Sequence, residues 1–255
     1  MRAAGAAGLL ALRADPSRAL VALDYDGTLA PVVADPARAV PAPGAVDVLA
    51  ALADRVGQVA VVTGRPAGVA VRLGGLDRVP RLVVLGQYGA ERWSAGRLHV
   101  PPPLPGVAAA RTALAGLPEG AVLEDKGLSL VVHTRRSSDP AGLQAELEPR
   151  LRAVAADHGL ELHLGRLVLE LRPPGFDKRA ALLSLCAPPP SAVLFAGDDL
   201  GDLPAYEAVR SLRAEGVPGV LVCSGSQEGP AALREQADVV VDGPAGVVDL
   251  LAALL

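Results

Sequence analysis

The sequence predicts an α/β protein: a Rossmann-like, doubly wound parallel-sheet core with an inserted α+β cap of antiparallel sheet plus two helices. Three observations predict it. Six short apolar runs lie at 19–24, 58–64, 81–86, 191–199, 219–225 and 237–243, most of them hydrophobic throughout instead of alternating. That is the pattern of strands buried on both faces of a parallel sheet. Helix-like stretches separate these runs, and strand alternating with helix means βαβ units. Between 104 and 174 the pattern changes to alternating, half-wet strands, so a second module interrupts the first.

In chain order, "MRAAGAAGLLALRADPSRA" at 1–19 has an apolar stretch that is too short and too glycine-rich for a secretory signal. It reads as a helix leading into the core, in a cytoplasmic chain. Core helices are expected at 44–55, 66–73, 178–186, 202–214, 228–235 and 245–254. "PPPLPG" at 101–106 breaks the core pattern. A helix at 107–116 follows, then "AVLEDKG" and "LSLVVHTRR" as a strand pair turning at Lys126-Gly127. A long helix over 139–158 comes next. "LELHLGR" and "LVLELRPP" form a second pair, with Leu160, Leu162 and Leu164 alternating against Glu161 and His163. The expected domains are 1–103 with 175–255 as the core and 104–174 as the cap. Hinges are expected at 101–106 and 172–175.

Composition narrows the function. The 255 residues carry a net charge of −4, and 2% are aromatic. No basic cluster or stacking platform suits nucleic acid. No apolar run reaches the length of a membrane span. Cys186 and Cys223 lack metal-ligand spacing and read as core thiols in a reducing compartment.

In an open α/β sheet, ligands bind outside the carboxyl ends of the strands. There the sequence places Asp24-Tyr25-Asp26-Gly27-Thr28, then Thr63-Gly64-Arg65, then Gly197-Asp198-Asp199 with Asp202 just after. Lys178 opens the helix before the last of these strands. Acids gathered at one sheet edge repel one another, so a cation must hold them. Every candidate ligand is an oxygen, which selects Mg²⁺ over zinc. If the chain stays extended, Asp24 and Asp26 point to the same side. One can then attack while the other handles a proton, as in phosphoryl transfer through an aspartyl-phosphate. Thr63 and Lys178 supply donors for the residual charge. Each motif alone also fits an ordinary local role: an Asx turn, a strand–helix connection, a solvated lysine, an acidic N-cap. The signal is their order and their placement at strand ends.

The four motifs together resemble the haloacid dehalogenase superfamily of phosphotransferases. The resemblance implies Asp24 as nucleophile, Asp26 as general acid/base, and Thr63 and Lys178 as the phosphate-binding pair. It implies Asp198 as metal ligand beside the Asp24 carboxylate and the Asp26 backbone carbonyl. Asp199 and Asp202 match supporting acids, with Asp202 reaching the metal through water. "DYDGTLAPVVADPARA" at 24–39, "GQYGAER" at 86–92 and "LEDKGLSLVVHTR" at 123–135 resemble trehalose-6-phosphate phosphatases. That family implies hydrolysis of trehalose 6-phosphate in trehalose biosynthesis. The implied substrate-binding set is Gly64, Arg65, Gln87, Glu91, Glu124, Lys126, Arg135 and Glu170, with Glu124 and Lys126 on the distal glucose. His133 reads as a half-buried strand residue. Functional pairing with a separate trehalose-6-phosphate synthase is a further implication. Two departures stand out: Gly201-Asp202-Leu203-Pro204 where relatives carry Thr-Asp-Glu-Asp, and Gln87-Tyr88 where they carry Leu-His. Phosphatases of other sugar or polyol phosphates, and a non-catalytic sugar-phosphate sensor, are the alternatives.

Overall fold

The computed structural model describes residues 2–33, 35–102, 104–165, 167–225 and 229–255. The expected hinge at 101–106, the "LELHLGR" stretch and the helix expected at 228–235 each include a position outside these. Contacts divide the chain into two compact units, Met1–Val100 with Asp177–Leu255, and Pro101–Phe176.

The first unit begins with helix α1 (Ala3–Ala14), then strand β1 (Leu20–Leu23), helix α2 (Ala45–Ala53), strand β2 (Gln58–Val62), helix α3 (Ala67–Gly74) and strand β3 (Val83–Gly86). Strands β4 (Glu91–Ser94) and β5 (Arg97–His99) follow. The second unit contributes α4 (Pro105–Ala113), β6 (Val122–Asp125), β7 (Leu130–His133), α5 (Pro140–Asp157), β8 (Glu161–Gly165) and β9 (Val168–Arg172). The chain returns to the first unit with α6 (Lys178–Leu183), β10 (Val193–Gly197), α7 (Leu203–Ala214), β11 (Gly219–Gly225), α8 (Ala231–Gln236), β12 (Val239–Asp242) and α9 (Gly243–Ala252).

Among the described residues the core sheet runs β12-β11-β10-β1-β2-β3-β4-β5. Strands β12 through β3 are parallel. Successive side chains point to opposite faces, and both faces are covered, which explains the unbroken apolar runs. Val21, Leu23, Val59, Val61 and Val84 pack with Leu49, Leu52 and Leu251. Leu20, Ala22, Val62, Phe195 and Leu221 pack with Leu182, Tyr206 and Val209. Phe195 and Tyr206 meet edge to face, with ring centroids 6.2 Å apart.

One edge of the parallel core carries an antiparallel hairpin that the sequence reading did not place. β4 pairs antiparallel with β3, and β5 with β4, in a stretch to which the sequence reading assigned no strand. Ala95 and Gly96 both adopt positive φ (49° and 74°) and make a two-residue turn. Asn-Gly or Asp-Gly is the stronger signal for such a turn, so Ala-Gly concealed the hairpin. Helix ends shift by one to three residues: α4 starts at Pro105, whose missing N–H is no loss in a first turn.

In the second unit the sheet order is β6-β7-β9-β8, antiparallel throughout. Leu130, Val132, Leu169 and Leu171 bury one face against Val107 and Ala110 of α4 and Leu143, Leu147, Leu151 and Val154 of α5. The four α5 residues recur at helical spacing, and Asp139 caps that helix by accepting from the Gly142 N–H at 2.9 Å. The opposite face carries Glu124, Val131, Glu170 and His163, aligned across the four strands.

No helix among the described residues is long and apolar enough to cross a membrane. Cys186 and Cys223 are buried and unbridged. Burial pushes both thiols up to about 11, so thiolate is scarce at about pH 8. The native protein should therefore resist iodoacetamide at that pH, and denaturant should release both thiols. Labelling of either at the rate of a free peptide thiol would contradict their burial.

Candidate active site

β1 stops at Leu23, and Asp24 follows with its N–H still donating to the Ala196 carbonyl at 2.9 Å. The side chain is buried, and its Oδ1 lies 2.8 Å from Lys178 Nζ. Lys178 is the first residue of α6, whose N-cap Asp177 accepts from the Ala180 N–H at 2.7 Å. The same ammonium reaches Asp202 Oδ1 at 2.7 Å. Asp202 Oδ2 accepts from the backbone N–H groups of Asp198 (2.9 Å) and Asp199 (3.2 Å). Asp199 in turn accepts from the Gly201 N–H at 2.8 Å, closing a capping box with Asp202. The Gly201-Leu203-Pro204 departure is accommodated here. Gly201 supplies that N–H, and Pro204 lies in the first turn of α7, where proline is tolerated.

Carboxylate oxygens of Asp24, Asp198 and Asp202 lie within 4.8 Å of one another. Glycine is required beside them. A Cβ on Gly27, which has φ +74°, would stand 2.0 Å from Asp198 Oδ2, and one on Gly197 would stand 2.3 Å from Asp202 Cγ. Ser224, at the end of β11, donates to the Gly27 carbonyl at 2.6 Å. The sequence reading passed over Ser224, although it sits at a strand end like the motifs that were singled out.

The electrostatics are unbalanced. Burial foremost, then repulsion from Asp202 and Asp199, holds Asp24 well above the usual carboxylate range despite Lys178. Burial, with Asp24, Asp202 and Asp199, pushes Asp198 up to about 9. Burial and Asp202 raise Asp199 as well. Burial alone would lower Lys178, but Asp202 and Asp24 outweigh it and hold the ammonium well above its usual value. One ammonium thus faces several carboxylates in a poorly solvated place. A hard dication suits this all-oxygen donor set.

Because β1 ends at Leu23, the two acids lie beyond the strand and engage different cations. Asp26 receives two N–H bonds from Arg65, Nε at 2.6 Å and a terminal nitrogen at 2.7 Å. The Arg65 guanidinium also stands 5.4 Å from the Tyr25 ring centroid and donates to the Pro36 carbonyl at 2.9 Å. Thr63 is buried at the end of β2, and its hydroxyl accepts from the Arg65 N–H at 3.1 Å.

Gln87 and Glu91 are both buried. Gln87 Nε2 donates to Glu91 Oε1 at 2.7 Å, and Glu91 Oε2 accepts from the Ala67 N–H, at the start of α3, at 2.6 Å. The structure thus gives Glu91 a capping role the sequence did not suggest.

Within the second unit, Glu124 pairs with His133 at 2.8 Å. Lys126 Nζ lies 3.4 Å from Glu170 Oε1, which also accepts from the Ser129 hydroxyl at 3.0 Å. Ser129 was missed, although it shares the "EDKGLS" stretch with Glu124 and Lys126. Arg172 donates to His163 Nδ1 at 3.0 Å. Arg135 is exposed in the turn after β7.

The trehalose-phosphatase family model matches residues 22–239, which include all of these strand-end motifs. The chain belongs to the trehalose-phosphatase family. Among curated relatives of this family, the trehalose-phosphate phosphatase of Mycobacterium avium is 34% identical over 215 residues, 78% of this chain and 53% of that protein. That of Mycobacterium tuberculosis is 32% identical over 247 residues, 90% of this chain and 59% of that protein. The chain therefore spans little more than half the length of these relatives. In fold it is similar to the C-terminal domain of Candida albicans trehalose-6-phosphate phosphatase. There the TM-score is 0.75, the identity 21%, and the coverage 97% of this chain and 96% of that one.

The raised carboxylates carry a testable sign. Asp198 sits at about 9 in the folded chain against its ordinary 3.8. Its ionisation in the folded state therefore costs stability progressively as pH rises from about 4 through about 9. In EDTA, melting should rise as the pH falls from about 8 to about 6. Asp198→Asn should flatten that response in this member of the trehalose-phosphatase family. Equal slopes for wild type and variant would contradict the assigned burial of this charge.

Proposed function

We propose that the chain is a Mg²⁺-dependent phosphatase. It hydrolyses trehalose 6-phosphate to trehalose and inorganic phosphate, with an aspartyl-phosphate on Asp24 as the intermediate. The observation that carries this reading is the buried Asp24 carboxylate, 2.8 Å from Lys178, beside Asp198 at the end of the central parallel strands.

In the first step an Asp24 oxygen attacks phosphorus, the P–O bond to the sugar breaks, and Asp26 gives its proton to the departing sugar oxygen. In the second step Asp26 takes a proton from water. The water oxygen bonds to phosphorus, the bond to Asp24 breaks, and phosphate leaves. Arg65 holds Asp26 as the carboxylate through its two N–H bonds, so Asp26 must leave this pair to carry the proton it donates. The Thr63 hydroxyl and the Lys178 ammonium donate to the phosphate oxygens.

Asp24, the Asp26 backbone carbonyl and Asp198 would hold Mg²⁺. Asp202 and Asp199 support them, since both Asp202 oxygens already accept bonds. Bound there, the ion would supply charge stabilisation for the phosphate. We assign residues 104–174 as the sugar-selecting cap and 1–103 with 175–255 as the catalytic core. Glu124, Lys126 and Glu170 offer the paired donors and acceptors that a many-hydroxyl disaccharide needs. Arg135, Gly64 and Arg65 complete the substrate set, with Gln87 and Glu91 acting on it through the loop they brace. A cytoplasmic location and functional pairing with a separate synthase belong to the same reading.

Phosphate release should be measured from trehalose, glucose and sucrose 6-phosphates, with Mg²⁺ and with EDTA. Release should favour trehalose 6-phosphate and vanish in EDTA. In Asp24→Asn it should fall by about 10³-fold or more, as when a catalytic nucleophile is removed. Metal-dependent release from a different sugar ester alone would keep the chemistry and reject the substrate. No release from any of them would favour the sensor reading.

In a second measurement, Lys126→Ala should raise KM for trehalose 6-phosphate by about 10-fold or more, the loss expected for a hydrogen bond to a charged group. An unchanged KM would remove Lys126 from the sugar site.

A further inference from the structure

Gln87 and Tyr88 are adjacent residues with side chains, and both sit in the left-handed region, with φ 45° and 59°. That conformation disfavours any residue with a Cβ, and glycine would adopt either position freely. Such outliers persist where the surroundings over-determine them, and they cluster at functional sites.

Here the surroundings are explicit. The Gln87 N–H donates to the Arg65 carbonyl at 2.9 Å, and the Tyr88 N–H donates to the Thr63 carbonyl at 3.0 Å. The Gln87 side chain is held by Glu91, which is held by the start of α3. Gly89 abuts Ala181 of α6, the helix that Lys178 opens; a Cβ on Gly89 would come 3.0 Å from the Ala181 Cβ. The loop is thus locked between the elements that carry Thr63 and Lys178.

This lock places the Tyr88 phenol over Gly64. A Cβ at Gly64 would lie 2.7 Å from the Tyr88 hydroxyl oxygen and 2.9 Å from Cζ. The ring is only partly buried, so it is not simply core filling. An aromatic ring packs against pyranose C–H groups, and its hydroxyl both donates and accepts.

We propose that Tyr88 is a specificity-determining residue that contacts the sugar ring bearing the phosphate ester, beside Thr63 and Gly64. This proposal rests on the sugar-phosphatase reading and extends it to a residue outside the expected substrate set.

The test uses the whole chain with Mg²⁺ and compares trehalose 6-phosphate with acetyl phosphate, which has no sugar. For Tyr88→Ala, KM for trehalose 6-phosphate should rise about 10-fold, the scale of one lost pocket contact, and kcat should change much less. The corresponding rise for acetyl phosphate should be several times smaller, and Tyr88→Phe should fall between wild type and Tyr88→Ala. Tyr88→Gly removes the left-handed strain, so it should melt at or above Tyr88→Ala and yet show the same KM defect. A purely structural role would make KM follow melting temperature.

Equal losses for both substrates, or an unchanged KM for trehalose 6-phosphate in an active wild type, would overturn the assignment of Tyr88 alone. A wild type that turns over neither substrate would overturn the phosphatase reading. In that event calorimetric binding of trehalose 6-phosphate to Asp24→Asn, with and without Tyr88→Ala, decides the proposal. Equal affinities, or no binding to either, would overturn it.

Discussion

One ammonium organises the site. Lys178 stands 2.8 Å from Asp24 and 2.7 Å from Asp202, and all three side chains are buried. A buried charge without a partner is costly, and a buried pair is tolerable only with close geometry and further hydrogen bonds. Asp202 meets that demand by accepting two backbone N–H bonds as well. Through Lys178 the end of β1, the start of α6 and the loop after β10 are therefore fixed relative to one another. The capping box at Asp199 and the glycines at 27 and 197 are the local consequences. The first closes the acidic loop, and the others leave room for carboxylates where a side chain would collide.

The sheet explains why these groups meet. β1 lies between β10 and β2. From β1 the chain winds outward through β2 and β3, and after the second unit it resumes on the other side through β10, β11 and β12. The reversal in winding leaves a crevice at the carboxyl ends of the central strands. Asp24, Thr63, Asp198 and Ser224 follow or end β1, β2, β10 and β11. Parallel register brings all four ends to one edge, which an antiparallel arrangement would have split between two.

Much of this was legible in the residues. The unbroken apolar runs announced a sheet covered on both faces, and the acids stood where those runs stopped. The alternation of 160–164 separated the second sheet from the first. What was not legible has a common cause: side-chain partners far apart in sequence leave no local pattern. Asp26 and Arg65, 39 positions apart, carry no periodicity that would pair them. Glu91 enters the sequence reading only as a substrate-binding residue, because its partners, Gln87 and the Ala67 N–H, are fixed only by packing. The β4–β5 hairpin hid behind a weak turn dipeptide.

The Ser224 hydroxyl and the Gly27 carbonyl are 197 positions apart and yet 2.6 Å from each other. Closing so long a loop costs chain entropy before any contact compensates for it, and nonlocal contacts form late in folding. The turn after Asp24 is thus completed by a strand that lies far downstream in the chain. Without β11 in place, the turn that follows Asp24 lacks this clamp. The geometry of the turn that follows Asp24 is then a property of the completed sheet, not of the segment that carries the acid.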